Sequence, residues 1–338
     1  RRPLLRLHRR PGLELRRRAQ RGGGMNLAFA EQAGRVCPAD YSYDPVVFNR
    51  PPNFEARVLY VVGGLYGNPA AFDAVEQLTQ QETVPAAIVF NGDFHWFDAE
   101  PQWFAAIEVG VGRHWALRGN VETELGRRDD VGAGCGCAYP PSVGEDVVRH
   151  SNEIFAELRR VATAAARRRL ARLPAHLVAQ VGALRVGVVH GDAASLAGWR
   201  FAQDMLDQPS RHRWLDDVRR VSNIDLFAST HTCLAALRDF ELATGRLTVI
   251  NNGAAGMPNF AGSTFGLVTR IAVSPSPHAP LYGLVRDGVH IDAVPLHYDQ
   301  GAFLDHFLAR WPEGSPAHGS YFQRITSGPD YAVPTASG

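Results

Sequence analysis

Apolar, β-branched runs recur along the chain, and most of them break off into Gly, Asn, Asp or His. They are RVLYVVGG (57–64), AAIVFNGD (86–93), HWALRGN (114–120), LRVGVVHGD (184–192), IDLFASTH (224–231) and RLTVINNG (246–253). Short apolar runs bounded by turn residues read as buried strands. Between several of them the apolar positions switch to helical spacing. NPAAFDAVEQLTQQ begins with Asn68 as N-cap and Pro69 at the first helical position. A long Arg-rich helical stretch follows from about 146 to 173, and SLAGWRFAQDML and HRWLDDVRRV flank Pro209. Near the end, LYGLVRDGVHIDAVPL sets two strand-like runs around Asp287-Gly288, a hairpin signal.

Strands alternating with helices and then a hairpin predict an α/β protein with layered sheets. The pattern divides the chain into an extension at 25–54, one domain at 55–313 with a helical insertion at about 124–180, and a loosely packed tail at 314–338. DDVGAGCGCAYPPSVGED (129–146) reads as a long loop, and long loops inside compact domains are often functional.

Charge changes this picture at one end only. The 338 residues carry a net charge of +1, with every basic residue an arginine. The first 24 residues hold nine arginines and Glu14 as their one acid, which leaves 26 arginines against 33 acids in the remainder. A mildly acidic body argues against broad nucleic-acid binding. The leader lacks the apolar run of a signal peptide and the serines of a transit peptide. It reads as a disordered extension upstream of Met25, with a basic tail or targeting segment as the alternative. No apolar stretch approaches the ~20 residues of a membrane span, so no membrane partner is expected. Four cysteines in so long a chain do not make a disulfide scaffold, and a reducing cytoplasm is the expected setting. The oligomeric state stays open.

In α/β folds, ligands gather outside the carboxyl ends of the strands. The first such end, GGLYGN, fits neither the dinucleotide nor the ATP-loop spacing and lacks the lysine of the latter. Taken in order, the strand ends are VVGGLYGN, VFNGDFHWFD, LRGNVE, VVHGD, FASTHT and VINNGAAGMP. This series resembles the calcineurin-like metallophosphoesterases, whose loops run Asp-x-His, Gly-Asp, Gly-Asn-His-Asp/Glu, His and Gly-His-x-His. It is most similar to the small bacterial phosphodiesterase branch, whose Asn-Pro-Gly-Ser turn here reads Asn251-Asn252-Gly253-Ala254. The resemblance covers about residues 57–258 and implies a four-layer αββα sandwich.

Such enzymes clamp a phosphoryl group between two cations roughly 3.5–4 Å apart, which also activate the attacking water. The resemblance implies Asp93 as bridging carboxylate, Asn120 as amide ligand and His190 and His231 as imidazole ligands, with Asp93, Asn120 and His190 as the catalytic set. It also marks departures. Gly64 and Tyr66 replace the first-loop Asp and His, Val121 replaces the leaving-group acid, and Ser229 replaces the first His of the last pair. The expected cofactor is therefore one divalent ion, Mn, Fe or Zn, rather than two. The expected activity is hydrolysis of a small phosphorylated molecule at this altered centre. The alternative is an inactive descendant that binds a phosphorylated ligand or a protein partner through the same cleft.

Replacement ligands or substrate contacts could come from Tyr66, His95, Glu122, Asp192, Ser229 or Cys233. A zinc site drawing on Cys135, Cys137 or Cys233 is a third reading, although Cys-x-Cys lacks the common zinc spacing. Against these stand plainer roles. Asp98 caps the following helix AEPQWFAAIE, Cys233 is a small buried hydrophobe, and Trp96, Trp115, Trp199 and Trp214 serve as core or pocket wall.

Overall fold

A computed structural model describes residues 33–338. The basic leader and the start of the 25–54 extension lie outside the described residues. Among the described residues the strands are β1 (Phe54–Ala56), β2 (Val58–Val62), β3 (Ala87–Asn91), β4 (Trp115–Leu117), β5 (His176–Val181), β6 (Leu184–Val189), β7 (Leu226–Ser229), β8 (Ala235–Leu242), β9 (Gly245–Asn252), β10 (Gly266–Ala272), β11 (Tyr282–Arg286) and β12 (Val289–Leu296). They form two six-stranded sheets, ordered β1-β5-β6-β7-β9-β8 and β11-β12-β10-β2-β3-β4.

The side-chain period of two sorts the strand residues into layers. In β2, Leu59 and Val61 point between the sheets and meet Val186, Val188, Leu226 and Ala228. Val58, Tyr60 and Val62 point the other way, into a cluster with Phe72, Val75, Phe104 and Ile107 of two covering helices, Pro69–Thr79 and Pro101–Val111. On the opposite outer face, Phe227 and Val249 pack with Leu215 and Val218 of the helix His212–Ser222. Helix, sheet, sheet, helix: this is the four-layer αββα sandwich expected above.

Strands β2, β3 and β4 run parallel, as do β6, β7 and β9. Their carboxyl ends therefore deliver positions 64–66, 93, 120, 190 and 231 to one edge of the sandwich. Asn252 ties the two sheets there, its Nδ2 donating to Gly63 O at 3.0 Å and Leu267 O at 2.9 Å.

Several local expectations hold. Asn68 caps its helix through Ala71 N at 3.0 Å. The β11–β12 hairpin turns at Asp287 and Gly288, both with positive φ, as a two-residue turn matched to strand twist requires.

Others change. The stretch 124–180 is not helical to its end, because His176–Val181 is β5, antiparallel to β6. The Arg-rich stretch is two helices, Glu145–Val161 and Ala164–Leu170, the second capped by Thr163. Asp98 does not cap the next helix. Its carboxylate instead accepts from Trp96 N at 2.8 Å and meets the His95 ring. The segment 314–338 is not loose. It forms the helices Pro316–Ser327 and Val333–Ser337, which bury Ala317, Ile325 and Ala336. Small alanines fill the contacts, so the hydrophobic pattern there is faint. The part of the extension from residue 33 onward also joins the body, with Tyr41 and Phe48 fully buried. No helix among the described residues is long and apolar enough to cross a membrane.

Candidate metal centre

Four side-chain atoms from four strand-end loops converge at the carboxyl edge. His190 Nε2 lies 3.1 Å from Asn120 Oδ1, 3.1 Å from His231 Nδ1 and 3.4 Å from Asp93 Oδ2. Asp93, His190 and His231 offer ligand atoms all within 4.8 Å of one another, and all are buried.

What faces what is decided by the backbone around them. His190 Nδ1 stands 3.0 Å from Asn91 O, and His231 Nε2 stands 3.1 Å from Cys137 O. A carbonyl oxygen can only accept, so each of these ring nitrogens carries the hydrogen. Asn120 Nδ2 donates to Cys135 O at 2.8 Å, which aims the amide oxygen inward. His190 Nε2, His231 Nδ1, Asn120 Oδ1 and Asp93 Oδ2 thus meet as four lone-pair donors. A positive charge is what this point demands, either a proton on His190 or a metal cation.

The electrostatics agree. Burial alone would lower the His190 pKa, but the Asp93 carboxylate beside it holds it above the ordinary 6.5. For Asp93, burial pushes upward, and the His190 charge outweighs it to bring the pKa below 3.8. Burial, then the neighbouring His190 charge, push His231 down to about 3, so it stays neutral as a ligand must. Two imidazoles, an amide oxygen and a carboxylate suit Mn, Fe or Zn. Ring N–H groups anchored on carbonyls are the usual supporting layer of such a centre.

Glu122 is buried here without being one of the four. Its carboxylate accepts from Asp93 N at 2.8 Å, Gly119 N at 2.8 Å, Phe94 N at 3.1 Å and His95 N at 3.4 Å. It braces the two turns that carry Asp93 and Asn120, and it holds Asp93 at a φ of 49°. Burial first, and then the Asp93 charge, raise its pKa.

Tyr66 and Cys233 border the centre and touch each other, hydroxyl to Sγ at 2.7 Å. They line a cavity beside Asp93 and His231. His95 and Asp98 turn away from it, because two residues past Asp93 the chain points into the helical layer. There the His95 ring stacks on Phe104 and bonds Asp98 and Glu108. Asp192 is spent on its own turn, accepting from Ala194 N and Arg200 N. Ser229 is buried, and its hydroxyl has no partner among the described residues. The Cys135 and Cys137 sulfurs lie 2.7 Å apart, with Cys137 Sγ 3.3 Å from the Asn120 amide nitrogen. Cys137 also lines the cavity, and the long loop sets two carbonyls rather than thiolates against the candidate ligands Asn120 and His231.

The sequence reading missed Arg324, Tyr321 and Tyr139, which also line the cavity. Arg324 and Tyr321 sit on the helix Pro316–Ser327, in the segment whose apolar pattern is weakest. Backbone carbonyls such as Cys137 O have no sequence signature at all.

Comparison with known proteins bears on the fold. A hypothetical protein from Pyrococcus horikoshii OT3 superimposes with a TM-score of 0.53 at 15% identity, covering 81% of this chain and 99% of its own. A metallophosphoesterase from Sphaerobacter thermophilus gives a TM-score of 0.49 at 15% identity, covering 81% of this chain and 100% of its own. No protein-family model matches the sequence. No curated protein matches it. Likeness at such identity is likeness of fold.

Proposed function

We propose that this chain is a metal-dependent phosphoesterase whose centre holds one divalent cation, with a small phosphorylated molecule as substrate. The observation that carries the reading is the meeting of four lone pairs at His190 Nε2, His231 Nδ1, Asn120 Oδ1 and Asp93 Oδ2, with both ring tautomers set by backbone carbonyls. These four would hold the ion. When bound, it supplies Lewis acidity toward a phosphoryl oxygen and toward the attacking water. Asp93 brings negative charge to one side of that point, and its other oxygen accepts from Val121 N at 3.2 Å. Glu122 keeps both ligand-bearing turns in register. Asn120 and His231 are oriented by the carbonyls of Cys135 and Cys137. The unpaired cysteines suit a reducing compartment such as the cytoplasm.

The first-strand loop supports one ion rather than two. Gly64 offers no side chain, Tyr66 fills the space beside it, and the Tyr66 hydroxyl is engaged with Cys233 Sγ at 2.7 Å. Metal analysis of chelator-free protein, followed by phosphoester assays with added Mn, tests the reading. One ion per chain, lost in the Asp93→Asn and His231→Ala variants together with turnover, is the expected result. Metal-free protein with no turnover on any phosphoester would instead leave a binding protein.

A further inference from the structure

The cavity beside Asp93 and His231 has a volume of about 240 Å³. That is below the roughly 300–1,000 Å³ of drug-sized pockets, so a single ring with one phosphoryl group is the size it admits. Its walls differ in kind. One is aromatic and includes Trp199, Tyr139 and Tyr321. Trp199 is fixed by its Nε1 donating to Cys137 O at 3.2 Å, and its ring stands edge-on to His231 with centroids 5.2 Å apart. Tyr139 lies 6.3 Å from Trp199, centroid to centroid.

Arg324 supplies the opposite character. Its Nη2 donates to Cys233 O at 2.6 Å and its Nε to Pro258 O at 3.3 Å. Carbonyls position the guanidinium without neutralising it, and among the described residues no carboxylate pairs with it. A charged fork with donors to spare, lining the same cavity as Asp93 and His231, suits phosphoryl oxygens.

The cavity also lacks something. Apart from Asp93 and His231, no carboxylate or imidazole lines it. Val121 is in the wall where the resemblance puts a leaving-group acid. Burial pushes the Tyr139 and Tyr321 phenols further up, which makes them poor acids. Beyond the proposed ligands, the wall thus offers a leaving oxygen no carboxylic acid or imidazolium from which to take a proton.

Resting on the phosphoesterase reading, we infer that the substrate is an aryl phosphate monoester, its ring against Trp199, Tyr139 and Tyr321 and a phosphoryl oxygen on Arg324. In the reaction the water oxygen forms the new bond to phosphorus. The bond from phosphorus to the aryl oxygen breaks, and its electron pair leaves on the phenolate. The water's proton passes to solvent, so the products are phenolate, hydrogen phosphate and one proton. A phenolate is stable enough to leave unaided, whereas an alkoxide is not.

Two measurements on the full chain with Mn test this. The first compares kcat/KM for phenyl phosphate and glycerol phosphate. The second follows tryptophan fluorescence as benzylphosphonate or methylphosphonate is added. Phenyl phosphate should be favoured by about a hundredfold or more, the low end of what a general acid contributes to the alkyl ester. Benzylphosphonate should bind about tenfold more tightly than methylphosphonate. Arg324→Gln should weaken both phosphonates by roughly tenfold, and Arg324→Lys should recover part of the loss, with the folded state checked by circular dichroism. Equal rates on the two esters, equal binding of the two phosphonates, or an unaffected Arg324→Gln variant overturns the inference and leaves the phosphoesterase reading intact. Tight, Arg324-dependent benzylphosphonate binding without turnover of either ester overturns the phosphoesterase reading instead.

Discussion

The Tyr66 ring occupies the room that a side chain at Gly64 needs: a Cβ on Gly64 would lie 2.7 Å from Tyr66 Cε2. Gly64 also has a φ of +61°, which disfavours any other residue. The two departures from the first-loop metal motif are thus one change in two places. Gly64→Asp alone should destabilise the protein by about 2 kcal/mol or more, by adding strain and crowding together. Only with Tyr66→His beside it should metal analysis rise from one ion per chain toward two. A second ion in the single Gly64→Asp variant would contradict this.

Glu122 should be irreplaceable even by its own amide. Four backbone N–H groups point at its carboxylate, and a glutamine would set its NH₂ against at least one of them. Glu122→Gln is expected to cost roughly 2–4 kcal/mol in urea unfolding. Metal affinity should fall with it, as measured by competition with a chelator, because Asp93 and Asn120 lose their common support.

Far from the centre, Arg270 is fully buried, with its guanidinium on Glu82 at 2.6 Å and on Asp292 at 3.2 Å. Tyr60 donates to the same Glu82 at 2.6 Å. Arg270→Met should lower stability by about 3–5 kcal/mol, since it strands two carboxylates in the interior. The measurement is the urea midpoint at constant m-value, and ligand metal content should stay unchanged in the surviving folded protein.

Acid sensitivity should trace in part to His176 on β5. Burial, helped by the positive charges of Arg50 and Arg118, lowers its pKa from 6.5 to about 4. Arg50 Nη2 lies 3.4 Å from its Nδ1, and an arginine can only donate. The folded state thus binds this proton less readily than the unfolded chain does. The neutral ring costs nothing above pH 6.5. Stability is then lost as pH falls from 6.5 toward 4, and no more is lost to this group below that. Unfolding midpoints of the protein and of His176→Gln, compared across that range, should show a shallower decline for the variant.

The proposed ligands could be read from the chain because each lies in a polar loop that closes an apolar strand, a pattern that period and composition reveal. The parallel strands then do the assembly, bringing Asp93, Asn120, His190 and His231 together although 138 positions separate the first from the last. The four lie one to three residues past their strand ends, and a place in the same loop was not enough to join them. His95 and Asp192 sit in the right loops, yet a positive φ at Asp93 and a tight turn at Asp192 direct them elsewhere. Arg324 escaped for a different reason, since the helix that carries it fully buries only Ala317 and Ile325.

The hydrogen bonds between the first two strand-end loops run mostly from the first into the second, with Phe97 N donating back to Tyr66 O at 3.1 Å. Gly64 N, Tyr66 N and Gly67 N all donate into the carbonyls of Gly92, Asp93 and Phe94, while the turn at 92–94 is secured from its other side by Glu122. The turn that carries Asp93 thus takes its N–H partners from Glu122 and not from the first loop. A sandwich built this way can vary the side chains of its first loop, at positions such as 64 and 66, while the turn that carries Asp93 keeps its shape.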